Sequence, residues 1–201
     1  MPKTESNKRV LQGQQTRKAI LDTASRCFAE KGYHACSMDT IARVAGLSKG
    51  GLYAHFGSKE ELFTTVIKQE HERAIERARS VLEHPPYLDG LVWHMGECIR
   101  NAGFPMDHRL WAEVLAVAGR DPAMKTIFLE SERRSRNFIK ELLQRGIQNQ
   151  EINPALDIED ISILLFALGD GLIVRIADDP DFDFDKQFNT FETTIRNILK
   201  K

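Results

Sequence analysis

Between residues 48 and 59 the chain sets Ser48, Lys49, Tyr53, His55 and Lys59 at close intervals, with Gly50 and Gly51 among them. Together they would crowd the exposed side of a short helix with donors and small residues. Such donors reach acceptors on base edges and phosphate oxygens. The two glycines are poor helix formers; they make sense where a backbone approaches something bulky, such as the floor of a major groove. Taken singly, each residue has a plain packing role: Tyr53 as half core, His55 as a helix cap. Taken together they point to contact with duplex DNA. No Gly-x-Ser-x-Gly, phosphate-binding glycine loop or His-Glu-x-x-His occurs, so no catalytic residue, metal or cofactor is expected, and the chain does not read as an enzyme.

The elements that would hold this set outward are two short helices and a tight turn. Ser37 is a natural N-cap for a helix over 38–45, in which Ile41, Ala42 and Ala45 are apolar. Ala42 is small enough for two helices to touch. Gly46 follows where a positive φ is wanted, and Ser48 caps a second helix running to about residue 55 or 56, anchored by Leu52. Ahead of them, Ile20, Leu21, Ala24, Cys27 and Phe28 form one stripe of a helix over 16–31 that stops at Gly32. After Gly57, Ser58-Lys59-Glu60-Glu61 has the form of a capping box for a helix reaching about residue 83, and Lys59 at its start suits a phosphate.

The remaining sequence also reads as helices, over 88–102, 107–119, 122–150, 158–177 and 186–199, with an acidic loop at 178–185. Sustained alternation of apolar and polar residues is absent, so the expected fold class is all-α: a three-helix head joined to a larger helical body, about nine helices together. Apolar residues make up 42% and charged residues 28% of the 201, which excludes a collagen or a disordered chain. No apolar run is long enough for a bilayer and Met1 to Arg9 lack the apolar core of a signal peptide, so a cytoplasmic protein without membrane contact is expected. Cys27, Cys36 and Cys98 read as reduced packing thiols. Net charge is unevenly shared: residues 1–60 hold ten Lys or Arg against five Asp or Glu, a net of +5, whereas the rest holds 18 against 24, a net of −6. A basic head on an acidic body places a polyanion at the head alone.

The run Thr16-Arg17, Ala24, Phe28, Gly32-Tyr33, Ser37-Met38, Ile41-Ala42, Ala45 to Phe56 and Ser58 to Leu62 closely resembles the TetR family of transcriptional regulators, over about residues 14–65. The resemblance implies a homodimer whose heads enter successive major grooves of a partly palindromic double-stranded operator. It implies Ser48, Lys49, Gly51, Tyr53 and His55 as the groove-facing set, with Gly50 where relatives often carry a larger residue. Thr40 and Lys59 would bind phosphates, Arg43 and Ser37 lying beside them, and Lys49 is the candidate for guanine acceptors. The expected domains are a flexible basic arm at 1–13 carrying Lys3, Lys8 and Arg9, a helix-turn-helix domain at 14–60, and an effector-binding and dimerisation domain at 61–201.

Two stretches of the body read as interface. Apolar residues at 158–177 are too dense for one face, Ala167, Gly169 and Gly171 would allow close approach, and the helix at 122–150 is amphipathic. Together they would form a four-helix dimer contact, the alternative being a monomer that buries both helices in its own core. Trp93, Met95, Phe104, Trp111, Leu115, Phe128 and Phe166 are the candidate lining of a pocket for an unknown small apolar effector. His94 and Cys98, with Glu97 or His108, have a spacing that could hold a metal, but packing is the expected role. The function expected is a sequence-specific repressor released from its operator by that effector. The alternative is a DNA-binding protein that responds to no ligand.

Overall fold

Ser37, Ser48, Asp107, Asp157 and Asp183 each accept a hydrogen bond from a backbone N–H two or three residues further on, and each begins a helix. That exchange satisfies donors the first turn would leave orphaned. The structure is a computed structural model that describes residues 3–102, 107–120 and 122–200, without the side chains of residues 3–6, 9 and 123. Phe104 of the candidate pocket lining, and the side chains of Lys3 and Arg9 of the basic arm, lie outside the described residues. The elements are α1 Lys3–Ala35, α2 Met38–Val44, α3 Lys49–Tyr53, α4 Lys59–Ala78, a 3-10 turn Arg79–Leu82, α5 Tyr87–Arg100, α6 His108–Ala118, α7 Pro122–Gln148, α8 Ile158–Asp178 and α9 Phe184–Leu199. Among the described residues there is no strand, and no helix is long and apolar enough to cross a membrane.

The described chain divides after Ile67 into two units. In the first, Ile20, Ala24, Phe28, Ile41, Leu52, Phe56, Leu62 and Phe63 are at most 1% exposed. The Phe28 and Phe63 rings meet edge-on at 4.9 Å, with Tyr33 at 4.4 Å from Phe63. The second unit buries Leu88, Leu91, Ile99, Phe138, Leu142, Leu143, Ile161, Leu165, Phe191, Ile195 and Leu199 in one cluster.

Several boundaries differ from the sequence reading. α1 begins at Lys3, not at residue 16, so residues expected as an arm are drawn as the first turns of the helix. Gly32, at φ 75° and ψ 165°, breaks that helix near the place expected, and a last turn to Ala35 follows the break. α3 closes at Tyr53 and leaves His55 beyond its end. α4 gives way to the 3-10 turn after Ala78. The acidic segment is less a loop than a pair of helix ends: Asp178 closes α8, Asp183 caps α9, and Phe184, Phe188 and Phe191 stack against one another in the body core.

Gly46 has φ +68°, and a Cβ built on it meets nothing within 4 Å. Replacing it therefore costs backbone strain and nothing else. We expect Gly46→Ala to lose about 1 kcal/mol in urea unfolding and Gly46→Asn to lose less, because asparagine tolerates the left-handed region. A Gly46→Ala midpoint equal to wild type would show that the turn relaxes out of this conformation.

Candidate nucleic-acid interface and internal cavity

The turn at Ala45–Ser48 is closed by two backbone hydrogen bonds, Gly46 N–H to Arg43 O at 3.3 Å and Leu47 N–H to Ala42 O at 2.9 Å. Ala42 is buried, so the small side chain does sit where α2 and α3 touch. On α3, Leu52 is fully buried while Lys49, Gly50 and Tyr53 are exposed, Tyr53 at 43%. The helix therefore turns one residue inward and presents the rest. Ser48 is committed as N-cap, its Oγ accepting from Gly51 N–H at 3.0 Å. A Cβ on Gly51 would press on that Oγ at 3.2 Å, whereas one on Gly50 would stand in open space. Gly51 thus answers to the cap, and Gly50 leaves the outer surface of α3 bare.

The flanking residues are tied down as well. Ser37 Oγ accepts from Thr40 N–H at 3.1 Å and lies 3.0 Å from Thr40 Oγ1. Lys49 Nζ pairs with Asp39 at 3.0 Å, both side chains more than 60% exposed. An exposed pair of this kind contributes no more than about 1 kcal/mol, so the ammonium can exchange a carboxylate for a phosphate or a base at small cost. Lys59 Nζ donates to Tyr33 O at 3.0 Å and lies 4.3 Å from the Tyr33 ring centroid. Its expected placement at the N-terminus of α4 is observed, but in this structure its ammonium is turned inward against α1. Arg43 is exposed. His55 is half-buried, and its carbonyl accepts from Arg17 Nη1 at 2.7 Å while the Arg17 guanidinium stacks 4.0 Å over Phe56. Arg17 is the residue that residue-by-residue reasoning missed. It entered only inside a family string, and nothing in its spacing says that it clamps the end of α3.

At the start of α4 the capping box forms in a shifted version. Ser58 Oγ accepts from Glu61 N–H at 3.1 Å, and Glu61 Oε2 reaches back to Gly57 N–H at 2.8 Å.

The second unit encloses a cavity of about 110 Å³, mostly apolar. Of the expected lining, Met95, Trp111 and Phe166 are on its wall. Trp93 is not: it is 44% exposed on the outer side of α5. Leu115 is not on the wall either, and Phe128 stands behind it, 6.1 Å from the Trp111 ring. Size alone does not say which side of a helix faces inward, and Trp93 and Leu115 lie away from the cavity wall.

Polar groups on that wall were not foreseen. Glu70, His71 and Arg77 of α4, His94 of α5 and Asp170 of α8 all line it. Glu70 pairs with Arg73 at 2.6 Å. His71 Nδ1 shares a 2.5 Å hydrogen bond with Ser131 Oγ, and its ring meets Trp111 edge-on at 5.1 Å. The His94 ring packs edge-on against Phe138 and lies 3.8 Å from Cys98 Sγ. His108, the other proposed neighbour, gives Nε2 to Ile99 O at 2.7 Å. Among the described residues no group of three His, Cys, Asp or Glu is placed to hold a metal. Burial pushes both His71 and His94 down to about 4, with Arg77 adding to the shift at His94. Asp170 is pushed up to about 6 by burial, against the bond from Trp111 Nε1. A charged residue inside the apolar run 161–174 was the available signal for Asp170.

A helix-turn-helix unit and a cavity-bearing helical unit on one chain are the parts of a one-component transcriptional regulator. Residues 20–66 match the model for bacterial regulatory proteins of the tetR family, and residues 103–200 match that for the BetI-type transcriptional repressor C-terminal region. The HTH-type transcriptional regulator UidR of Escherichia coli K12 is 30% identical over 82% of this chain and 83% of its own length. Among solved structures, Salmonella enterica GusR is 30% identical with a TM-score of 0.73, covering 92% of this chain and 93% of that one. FadR of Bacillus subtilis, solved with stearoyl-CoA, shares the fold at 24% identity and a TM-score of 0.76, over 89% and 96% of the two chains. The chain belongs to the TetR family of transcriptional regulators, whose members bind operator DNA and small-molecule effectors and act as dimers; it is a regulator and not an enzyme.

The two neutral histidines set a pH dependence. Each has a folded pKa below its unfolded value, so the unfolded chain takes up protons first and stability falls as pH drops from about 6.5 toward 4. Asp170, raised above its unfolded value, works the other way between about 6 and 3.8. Two rings at about 2 kcal/mol each outweigh one carboxyl at about 1 kcal/mol between pH 7 and pH 5. We expect a net loss of about 2 kcal/mol over that range in denaturant unfolding, and a smaller loss in His94→Leu. An identical pH profile in the variant would remove His94 from the account.

Proposed function

We propose that this chain is a dimeric repressor that binds a partly palindromic operator through α3 and is released by a small molecule held in the cavity of its second unit. The observation that carries the reading is the asymmetry of α3: Leu52 is sealed in the core while Lys49, Gly50 and Tyr53 are outside. A five-residue helix anchored by one leucine and bare on the other side is a shape that enters a major groove. In this reading Ser48, Lys49, Gly50, Gly51, Tyr53 and His55 meet the groove. Ser37, Thr40, Arg43 and Lys59 serve the phosphates, Lys59 after giving up the Tyr33 carbonyl. The match to a repressor-type C-terminal model supports repression.

Dimerisation is assigned to α7 and α8. Ile163 and Leu164, at 46% and 61% exposed, share one side of α8 with exposed Ala167 and Gly171, and α7 exposes Ile127 and Leu129. Large apolar side chains bared along a stripe with small residues mark a helix-pairing surface. The effector-binding and dimerisation roles thus belong to the second unit and the DNA role to the first, with α4 supplying residues to both. A ligand that prefers one arrangement of α4 lowers operator affinity by its differential affinity for the two states.

Operator fragments selected from genomic DNA by the purified protein provide the test. Lys49→Ala is expected to lose tenfold or more of its preference for the selected site over random DNA, with the dimer unchanged by light scattering. Leu164→Glu is expected to yield a monomer that binds the full site at least a hundredfold more weakly. A wild-type protein with equal, salt-sensitive affinity for every fragment would instead favour a DNA binder with no operator.

A further inference from the structure

Asp170 is an uncommon residue for its setting. It sits on α8 between Leu165, Phe166 and Ile173, and it faces a cavity whose wall is mainly hydrocarbon. Among the described residues its carboxylate accepts one long hydrogen bond, from Trp111 Nε1 at 3.3 Å. Next to it Gly169 leaves space, since a Cβ there would meet nothing within 4 Å. A carboxylate in such a site lacks the donors that water would supply, and it favours an arriving donor with positive charge.

The charges around it agree. Glu132 of α7 adds a second negative field, shared with Arg136 at 3.8 Å. Glu70 of α4 already holds Arg73. His71 of α4 and His94 of α5 are kept neutral by burial, so neither supplies a compensating cation. Arg77 lies seven residues along α4 from Glu70, about 10 Å at the helical rise, beside His94 and Cys98. Asp170 therefore faces the cavity with its charge unneutralised by either histidine.

Size narrows the occupant. An apolar cavity of roughly 150 Å³ accepts benzene, so about 110 Å³ limits the buried part of an occupant to a body no larger than one six-membered ring, with any substituent toward the open side of the cavity. Resting on the reading of this cavity as the effector site, we propose that it takes a small organic amine, whose protonated nitrogen donates to Asp170 while its hydrocarbon body lies against Trp111, Ile139, Leu165 and Phe166. A carboxylate-bearing ligand of the same size is disfavoured by the same charge, and a purely apolar one adds no donor to the one Asp170 has from Trp111 Nε1.

Three probes of one shape and different charge test this by calorimetry and by Trp111 fluorescence in a Trp93→Phe background: benzylamine, benzyl alcohol and benzoate. Benzylamine is expected to bind at least tenfold more tightly than benzyl alcohol, and benzoate not measurably. Asp170→Asn, nearly isosteric, is expected to weaken benzylamine at least tenfold and to leave benzyl alcohol within twofold. With the unaltered protein, benzylamine affinity is expected to be about tenfold lower at pH 5 than at pH 7.5, as Asp170 takes up a proton, so the result does not depend on the variant folding. Benzoate binding as tightly as benzylamine, no benzylamine binding at millimolar concentration, or an Asp170→Asn protein with unchanged benzylamine affinity would each overturn the proposal. Operator binding is measured on the same samples. If DNA is bound selectively and the amine is not, the repressor reading stands and this one fails. If the amine is bound and no DNA fragment is preferred, the reverse holds.

Discussion

The left-handed turn at Gly46 is the constraint on which the DNA-facing surface depends. With φ at +68° the chain leaves the helical path of α2, and the Leu47 N–H closes onto the Ala42 carbonyl. That closure brings α3 against α2 at a residue no larger than alanine, and Leu52 is then buried in the core of the first unit. Once Leu52 is buried, the helical period puts Gly50 on the opposite side of α3, and Lys49 and Tyr53 are exposed as well. Arg17 adds a second fixture by holding the carbonyl of His55. The recognition surface is thus rigid in backbone and loose in side chain. Its one ammonium on the helix rests on an exposed carboxylate that it can leave.

The second unit follows a different logic. Its core is a broad cluster of Leu, Ile and Phe from α5, α7, α8 and α9, and such a cluster would be most stable if filled. Instead it retains a cavity and places buried His94 and half-buried His71 and Asp170 on its wall. Keeping two imidazoles neutral and raising the titration of a carboxyl each cost stability at one pH or another, although each group also has a neighbour: Ser131 for His71, Phe138 for His94 and Trp111 for Asp170. All three also face the cavity. The exposed stripe Ile163, Leu164, Ala167 and Gly171 is a similar departure, apolar surface left uncovered in one copy of the chain.

Local rules of capping and period made most of the helices legible. Ser37, Ser48, Asp107 and Asp157 begin helices at or next to the positions expected, because each cap needs only its own side chain and a nearby N–H. The errors came where neighbours distant in sequence decide. The 178–185 run looked like a solvated acidic loop by composition, yet its phenylalanines are claimed by the body core and Asp183 becomes a cap. Trp93 and Leu115 have the bulk expected of a pocket wall, but the helices present them to other surroundings.

By itself the sequence determined the helical class, the turn at Gly46, the buried anchor Leu52 and the family, all of which rest on interactions within a few residues or on a motif read in order. Only the tertiary structure decided that Lys49 and Lys59 are already engaged by Asp39 and Tyr33, that Arg17 clamps His55, and that Glu70, His71, His94 and Asp170 converge from three helices on one cavity. The physical reason is that a charge's partner and a cavity's wall are set by which helix faces meet. Periodicity gives each helix an apolar side but not the neighbour that side will find.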